Sequence, residues 1–168
     1  HTDKNETNAA EEYRYYIYDP NNPSKEFSSC IYSFINDDDS PQEIIGIQEA
    51  TNGNYYVANK SPKLYKCTID TTNYESVYVK TLESVSYTCI PMQSFSYGSK
   101  VYLKSTSYIN EYDTVSGKSV SWSTGWASKI HNLDIANFLV KGDCLYTGTL
   151  KNGIFATDMK TFETIQIR

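Results

Sequence analysis

Tyr112-Asp113-Thr114-Val115-Ser116-Gly117-Lys118-Ser119-Val120-Ser121-Trp122 reads as two short strands joined by a tight turn. The aspartate enters the turn, a small polar residue follows three positions on, and a β-branched and aromatic run leaves it. The same grammar recurs at Asp70, with Asn73 and then Val77-Tyr78-Val79, and at Asp158, with Thr161 and then Ile165-Gln166-Ile167. A weaker copy sits at Asp19, with Asn22 and then an apolar run from Phe27 to Tyr32. An aspartate in this place accepts hydrogen bonds from turn amides, so its recurrence is structural before it is chemical. The copies are spaced by about 45 residues, a period that belongs to repeat architectures.

A second marker keeps the same register. Tyr55-Tyr56-Val57, Val101-Tyr102-Leu103 and Leu145-Tyr146-Thr147 each follow a turn glycine, at Gly53, Gly98 and Gly142. Four strands fit each period: an inner strand, the tyrosine strand and the two strands of the aspartate hairpin, which is the layout of a propeller blade. The expected fold is all-β, a β-propeller segment of about three complete four-stranded blades plus an N-terminal outer hairpin. Complete blades are expected at 44–82, 88–122 and 135–167, and a partial blade at 13–35 built from strands at 13–18 and 27–35. Residues 1–12 are polar and aperiodic and read as a flexible tail. The nearest approach to a helix, over 127–139, is interrupted by Asn132, Asp134 and Asn137.

The hairpin from Tyr112 to Lys118, like Ala156-Thr157-Asp158-Met159-Lys160-Thr161, resembles the outer hairpin of β-propeller repeats of the quinoprotein-like and WD-repeat kind. The resemblance covers most of the chain and implies an architecture. It implies no activity, because propellers host hydrolases, lyases, lectins and scaffolds.

Composition removes several functions. The formal net charge is −5 and arginine occurs only at Arg14 and Arg168, which argues against a phosphate-tracking or base-reading surface. No apolar run approaches the roughly 18 residues of a membrane span. Neither a nucleotide loop nor a metal-ligand spacing is present, so no cofactor and no metal are expected. Cys30, Cys67, Cys89 and Cys144 lie in or beside expected strands and read as buried thiols, with at least one disulfide as the alternative. Two glycosylation acceptors, Asn5 in Asn5-Glu6-Thr7 and Asn59 in Asn59-Lys60-Ser61, point to a secreted or extracellular glycoprotein. The chain opens at His1, so the lack of a leader says nothing about export.

Candidate chemistry is thin. His131, in Ile130-His131-Asn132-Leu133-Asp134, has a carboxylate nearby but no nucleophile tied to it, and reads as a solvated loop residue. Asp37-Asp38-Asp39 lacks the alternate ligand positions of a calcium loop and reads as a connector. Four aromatics in connecting loops, Trp126, Tyr87, Tyr97 and Tyr108, are the candidate partner-binding residues, whereas Trp122 lies on a strand and reads as packing between blades. No catalytic residue is assigned. The sequence therefore points to a non-enzymatic binding module presenting its loops to a protein or glycan. The alternative is part of a propeller enzyme, of glycosidase or lyase type, whose catalytic residues lie on other blades. Three and a half blades leave an uncovered strand edge and blade face, so a second chain or a further segment is expected to complete the ring.

Overall fold

A computed structural model describes residues 14–15, 30–31, 44–60, 63–69, 77–80 and 90–167. β1 (Arg14–Tyr15) and β2 (Cys30–Ile31) form a short antiparallel pair where the opening hairpin was expected. Twelve further strands make three four-stranded sheets. The first holds β3 (Ile44–Glu49), β4 (Tyr55–Asn59), β5 (Leu64–Ile69) and β6 (Val77–Lys80). In the second are β7 (Gln93–Tyr97), β8 (Lys100–Lys104), β9 (Ile109–Asp113) and β10 (Ser119–Trp122). The third contains β11 (Ile135–Lys141), β12 (Cys144–Thr149), β13 (Ile154–Asp158) and β14 (Thr164–Ile167). Each sheet is an antiparallel meander in chain order, as propeller blades are. Successive first strands are neighbours, β3 packing on β7 and β7 on β11.

The second blade begins later than about position 88. Pro91 has no amide hydrogen to give to a ladder, and pairing starts with Met92 N–H donating to the Lys104 carbonyl at 2.7 Å, just before β7. The first strands approach closely between blades: a methyl group on Gly46 would overlap Ser94 Oγ, and Gln48 Nε2 donates to that hydroxyl at 2.9 Å.

The tyrosine strands set the register of the stack. Tyr56 pairs across the sheet with Gln48, Tyr102 with Phe95 and Tyr146 with Leu139. Tyr56 is 2% exposed and packs with Val101, Leu103 and Tyr112 of the second blade. Tyr102 is 1% exposed and packs with Leu145 and Met159 of the third. Tyr56 and Tyr102 thus each lie under the following blade. Each ring carries a large apolar area, and burying it there is what holds successive blades together.

One short helix sits within the all-β fold. Trp126–Ile130 forms a five-residue helix, α1, between β10 and β11. No side chain caps its first turn, and so short a helix has little stability of its own. Packing supplies it: Trp126, Ala127 and Ile130 are buried in the cluster between the second and third blades. The exposure expected for Trp126 is therefore overturned. It is 4% exposed, edge-on to Tyr102 with ring centroids 6.1 Å apart and stacked on Phe162 at 5.2 Å. Trp122 packs beside it as expected, 5.7 Å from Phe162, with its indole N–H on Glu111 at 3.1 Å.

Both aspartate turns that are described cap their own backbones. Asp113 Oδ1 accepts from the amides of Val115 and Ser116 at 2.9 and 3.2 Å. Asp158 Oδ1 accepts from Lys160 and Thr161 at 2.8 and 2.9 Å. These bonds hold both carboxyls below the usual carboxylate range. The turns differ at the left-handed position that follows. The first places Gly117 there, at φ 69°, whereas the second places Phe162 at φ 60°. A side chain at such a φ costs about 1 to 2 kcal/mol, and the Phe162 ring, stacked on Trp126 and beside Trp122, supplies the compensation. Asp19 and Asp70 lie outside the described residues.

Candidate functional site

The meander gives each blade two unlike ends. At one, the tight turns β7–β8, β9–β10, β11–β12 and β13–β14 close on themselves. At the other lie the β8–β9 loop, the β12–β13 loop, and the long passage from β10 through α1 to β11.

The turn end is internally satisfied. Thr114 N–H donates to the Ser99 carbonyl and Met159 N–H to the Asp143 carbonyl, at 2.9 and 2.8 Å, equivalent bonds in successive blades. Between those blades Tyr97 O–H donates to Asp143 Oδ1 at 2.8 Å, and Lys160 Nζ pairs with Asp143 Oδ2. The ammonium and the phenol hold the Asp143 carboxyl below its usual range; the same contact raises the Tyr97 phenol and the Lys160 amine.

The loop end contains a cavity of about 310 Å³ between the second and third blades. Gln93 enters from the start of β7, Lys104 from the end of β8, and His131 and Asp134 from the segment between α1 and β11. Met92, Leu133, Ile135 and Leu150 form the apolar wall. Lys104 is 4% exposed, and burial lowers its amine despite the opposing charge of Asp134. It has no ion pair among the described residues, while Asp134 lies 3.9 Å from Lys151 Nζ. His131 is 7% exposed, so its reading as a solvated residue is also corrected. Its Nε2 faces the Ser123 carbonyl at 3.3 Å, and its Nδ1 is buried without a partner. Gln93 Nε2 donates to the Ile135 carbonyl at 2.7 Å, leaving buried Oε1 unpaired. Unpaired buried polar atoms are rare and costly, and two of them, on Gln93 and His131, belong to residues lining this one space.

The residues singled out from the sequence do not converge on this cavity or on each other. Trp126 is core. Tyr97 is engaged at the turn end by Asp143. Tyr108 is half-buried at the loop end, where its amide and carbonyl close a short turn on Ser105. Tyr87 and Asn5 lie outside the described residues, as do Cys89 and Asp37-Asp38-Asp39. Asn59 is fully buried in β4, which overturns the exposed setting a glycan at that acceptor requires. Cys144 is a free thiol, half-buried at the start of β12. No cluster of three or more metal-ligating side chains occurs among the described residues, and no described helix is long and apolar enough to cross a membrane.

Lys104 was missed because a lysine closing a strand reads as solvated. Alignment of the blades would have found it. Lys104 pairs with Gln93 where the first blade pairs Ala58 with Gly46 and the third pairs Gly148 with Asn137. A charged residue thus stands where its sister blades carry small ones.

The third blade also presents an open face. Leu139, Tyr146, Ala156 and Ile165 are cross-strand neighbours in one row. Leu139 is 59% and Ile165 66% exposed, whereas in the matching row of the second blade Phe95, Tyr102 and Glu111 are buried and only the outermost residue, Val120, is open.

No family model matches the sequence, and no curated protein matches it either. Solved structures do. The β-propeller domain of Cps50 (Swd1) from Myceliophteria thermophila aligns at TM-score 0.51 and 15% identity, over 77% of this chain and 43% of that one. KlHsv2 with its loop 6CD replaced by a Gly-Ser linker aligns at 0.49 and 8% identity, over 75% and 39%. Apo AztD from Citrobacter koseri aligns at 0.42 and 16%, over 86% and 41%. The similarity to the Cps50 domain is one of fold, and it agrees with the four-stranded meanders: the chain is built as a β-propeller. It spans about two fifths of the length of the propeller chains it matches.

Proposed function

We propose that this chain is a non-enzymatic binding module, extracellular in setting, that presents its loop end to a protein or glycan partner. The observation that carries the reading is the contrast between the ends. Turn-end polar groups bond one another, whereas the loop end combines exposed Ile90, Met92 and Leu150 with buried polar atoms that have no partner. Exposed apolar side chains around unsatisfied polar groups are the composition of a recognition surface. Catalysis is the weaker reading, because no carboxylate orients His131 and no nucleophile hydrogen-bonds its free nitrogen. Of the two acceptors that suggested secretion, Asn5 alone still supports the extracellular setting.

A photo-reactive residue at position 150, compared with one at position 115, tests this in the cells that make the protein. Both positions are exposed, Leu150 at the loop end and Val115 in the Asp113 turn. Adducts to a macromolecule are expected from position 150 and not from 115. Equal labelling, or labelling from 115 alone, overturns the reading.

The open face favours a second element of the proposal, that the three blades are a sector of a larger ring. Tyr56 and Tyr102 are each covered by the next blade, and by the same logic Tyr146 takes a further blade, from more of the same chain or from a second chain.

A further inference from the structure

The cavity at the loop end holds donors and acceptors that do not answer one another. A carbonyl only accepts, so His131 Nε2, facing the Ser123 carbonyl, carries the hydrogen, and in the neutral ring the buried Nδ1 is a lone pair. Gln93 has spent its amide nitrogen on the Ile135 carbonyl, and its free Oε1 is an acceptor too. Asp134 adds a carboxylate. Against these acceptors stands the Lys104 ammonium, with three hydrogens and no ion pair among the described residues, while Thr106 and Asn132, which also line the space, can each donate and accept.

Simple ions fit this set badly. An anion satisfies Lys104 but meets the lone pairs of His131 and Gln93 and the charge of Asp134. A cation satisfies the acceptors and is repelled by Lys104. A hydroxyl answers both, since it accepts from the ammonium while donating to a lone pair. Several hydroxyls on one carbon frame, with C–H faces against Met92 and Leu150, would use the whole lining. The volume of about 310 Å³ lies at the small end of the range of ligand sites, enough for one compact molecule.

We propose that this cavity binds a polyhydroxylated ligand, one saccharide unit in size, whose hydroxyls accept from Lys104 and donate to His131 Nδ1 and Gln93 Oε1. The proposal rests on the loop-end reading above and gives it a ligand class. The sister blades supply an independent argument. Where Lys104 and Gln93 stand, they carry Ala58 with Gly46 and Gly148 with Asn137, so the buried charge is peculiar to this blade and is not required by the fold.

The test is a titration of the isotope-labelled 168-residue chain with the methyl α-pyranosides of glucose, galactose and mannose, followed by NMR. Sodium acetate and inorganic phosphate serve as comparison probes. At least one pyranoside is expected to shift the amide resonances of Gln93, Lys104 and His131. Lys104→Met, which keeps the aliphatic stem, is expected to weaken that binding by about tenfold or more, as loss of a charged hydrogen-bond partner does. Its melting temperature should stay level or rise, since an unpaired buried charge is removed. Lys104→Ala, the residue found at Ala58, is the second variant should methionine fail to fold. Absence of pyranoside shifts overturns the proposal, as does tighter binding of acetate or phosphate, or undiminished binding by the variants. None of these results touches the labelling expected from position 150, so the general loop-end reading stands or falls separately.

Discussion

Tyr102 and Tyr146 hold the same place in successive blades, and their surroundings differ. Tyr102 lies under the third blade, stacked on Phe95 with centroids 4.6 Å apart, and burial raises its phenol, helped by the charge of Glu111. Tyr146 lies half-buried in the row with Leu139 and Ile165, which no described element covers. In a repeat protein each unit buries its face only against a neighbour, so the sequence of a repeat fixes a position's direction but not its burial. Burial depends on what comes next.

The largest effects separate these two positions. Tyr102→Ala is expected to cost about 3 to 5 kcal/mol, and Trp126→Ala a similar amount, by emptying the packing between the second and third blades. Tyr146→Ala should stay below about 1 kcal/mol in the isolated chain. Denaturant unfolding measures all three. Equal costs for the two tyrosines would mean that the third blade's face is covered after all.

A second pair, Gly117 and Phe162, sharpens the same lesson inside the aspartate turns. Gly117→Ala adds a side chain at φ 69° with nothing to pack on, and should cost about 1 kcal/mol. Phe162→Ala keeps the unfavourable φ and removes the ring from Trp126 and Trp122, so about 2 kcal/mol is expected. Phe162→Gly should fall between that variant and the parent, because it relieves the backbone while losing the stack. A Phe162→Gly protein more stable than the parent in thermal melts would show that the ring compensates for nothing.

These pairs also mark what could be read from the chain. The four-strand grammar of each repeat was legible because alternation and turn chemistry are local. The capping role of Asp113 was legible for the same reason. Trp126 was not: Ser123-Thr124-Gly125 before it has the composition of an exposed turn, and only packing between two sheets makes the helix that buries the indole. His131, one turn further on, was misread for the same cause. Asn59 shows the limit of a motif, since the triplet records an acceptor's neighbours and not its exposure. Lys104 was within reach, because its face is that of Tyr102, two residues earlier on the same strand.

Association offers a test with a smaller stability effect and a clear readout. Leu139→Lys with Ile165→Lys changes two exposed side chains and should alter unfolding by about 0.5 kcal/mol per site or less. If the third blade's face takes a further blade, the parent associates and the double variant does not, by light scattering on a size-exclusion column. A parent chain that remains a soluble 19.1 kDa monomer with a cooperative melt breaks the form of the ring proposal in which a second copy of this chain supplies the blade.

The smallest expected effect falls on the pair whose surroundings agree. Asp113 and Asp158 each accept two amides of their own turn, and in both those bonds favour the charged carboxylate over the neutral acid. Their folded pKa values lie below the unfolded value of about 3.9. The sign follows from linkage: their contribution is complete above the unfolded value and disappears as pH falls through the folded ones. Asp113→Asn with Asp158→Asn keeps an acceptor oxygen in each turn and removes the charge. The double variant should melt below the parent at neutral pH, and the gap should close as the solution is acidified past the carboxylate range. Each single variant should contribute about equally, since neither turn depends on a neighbouring blade for these bonds. A gap that widens on acidification, or one carried by a single turn, would show that the two aspartates are not equivalent and that blade context reaches even the local caps.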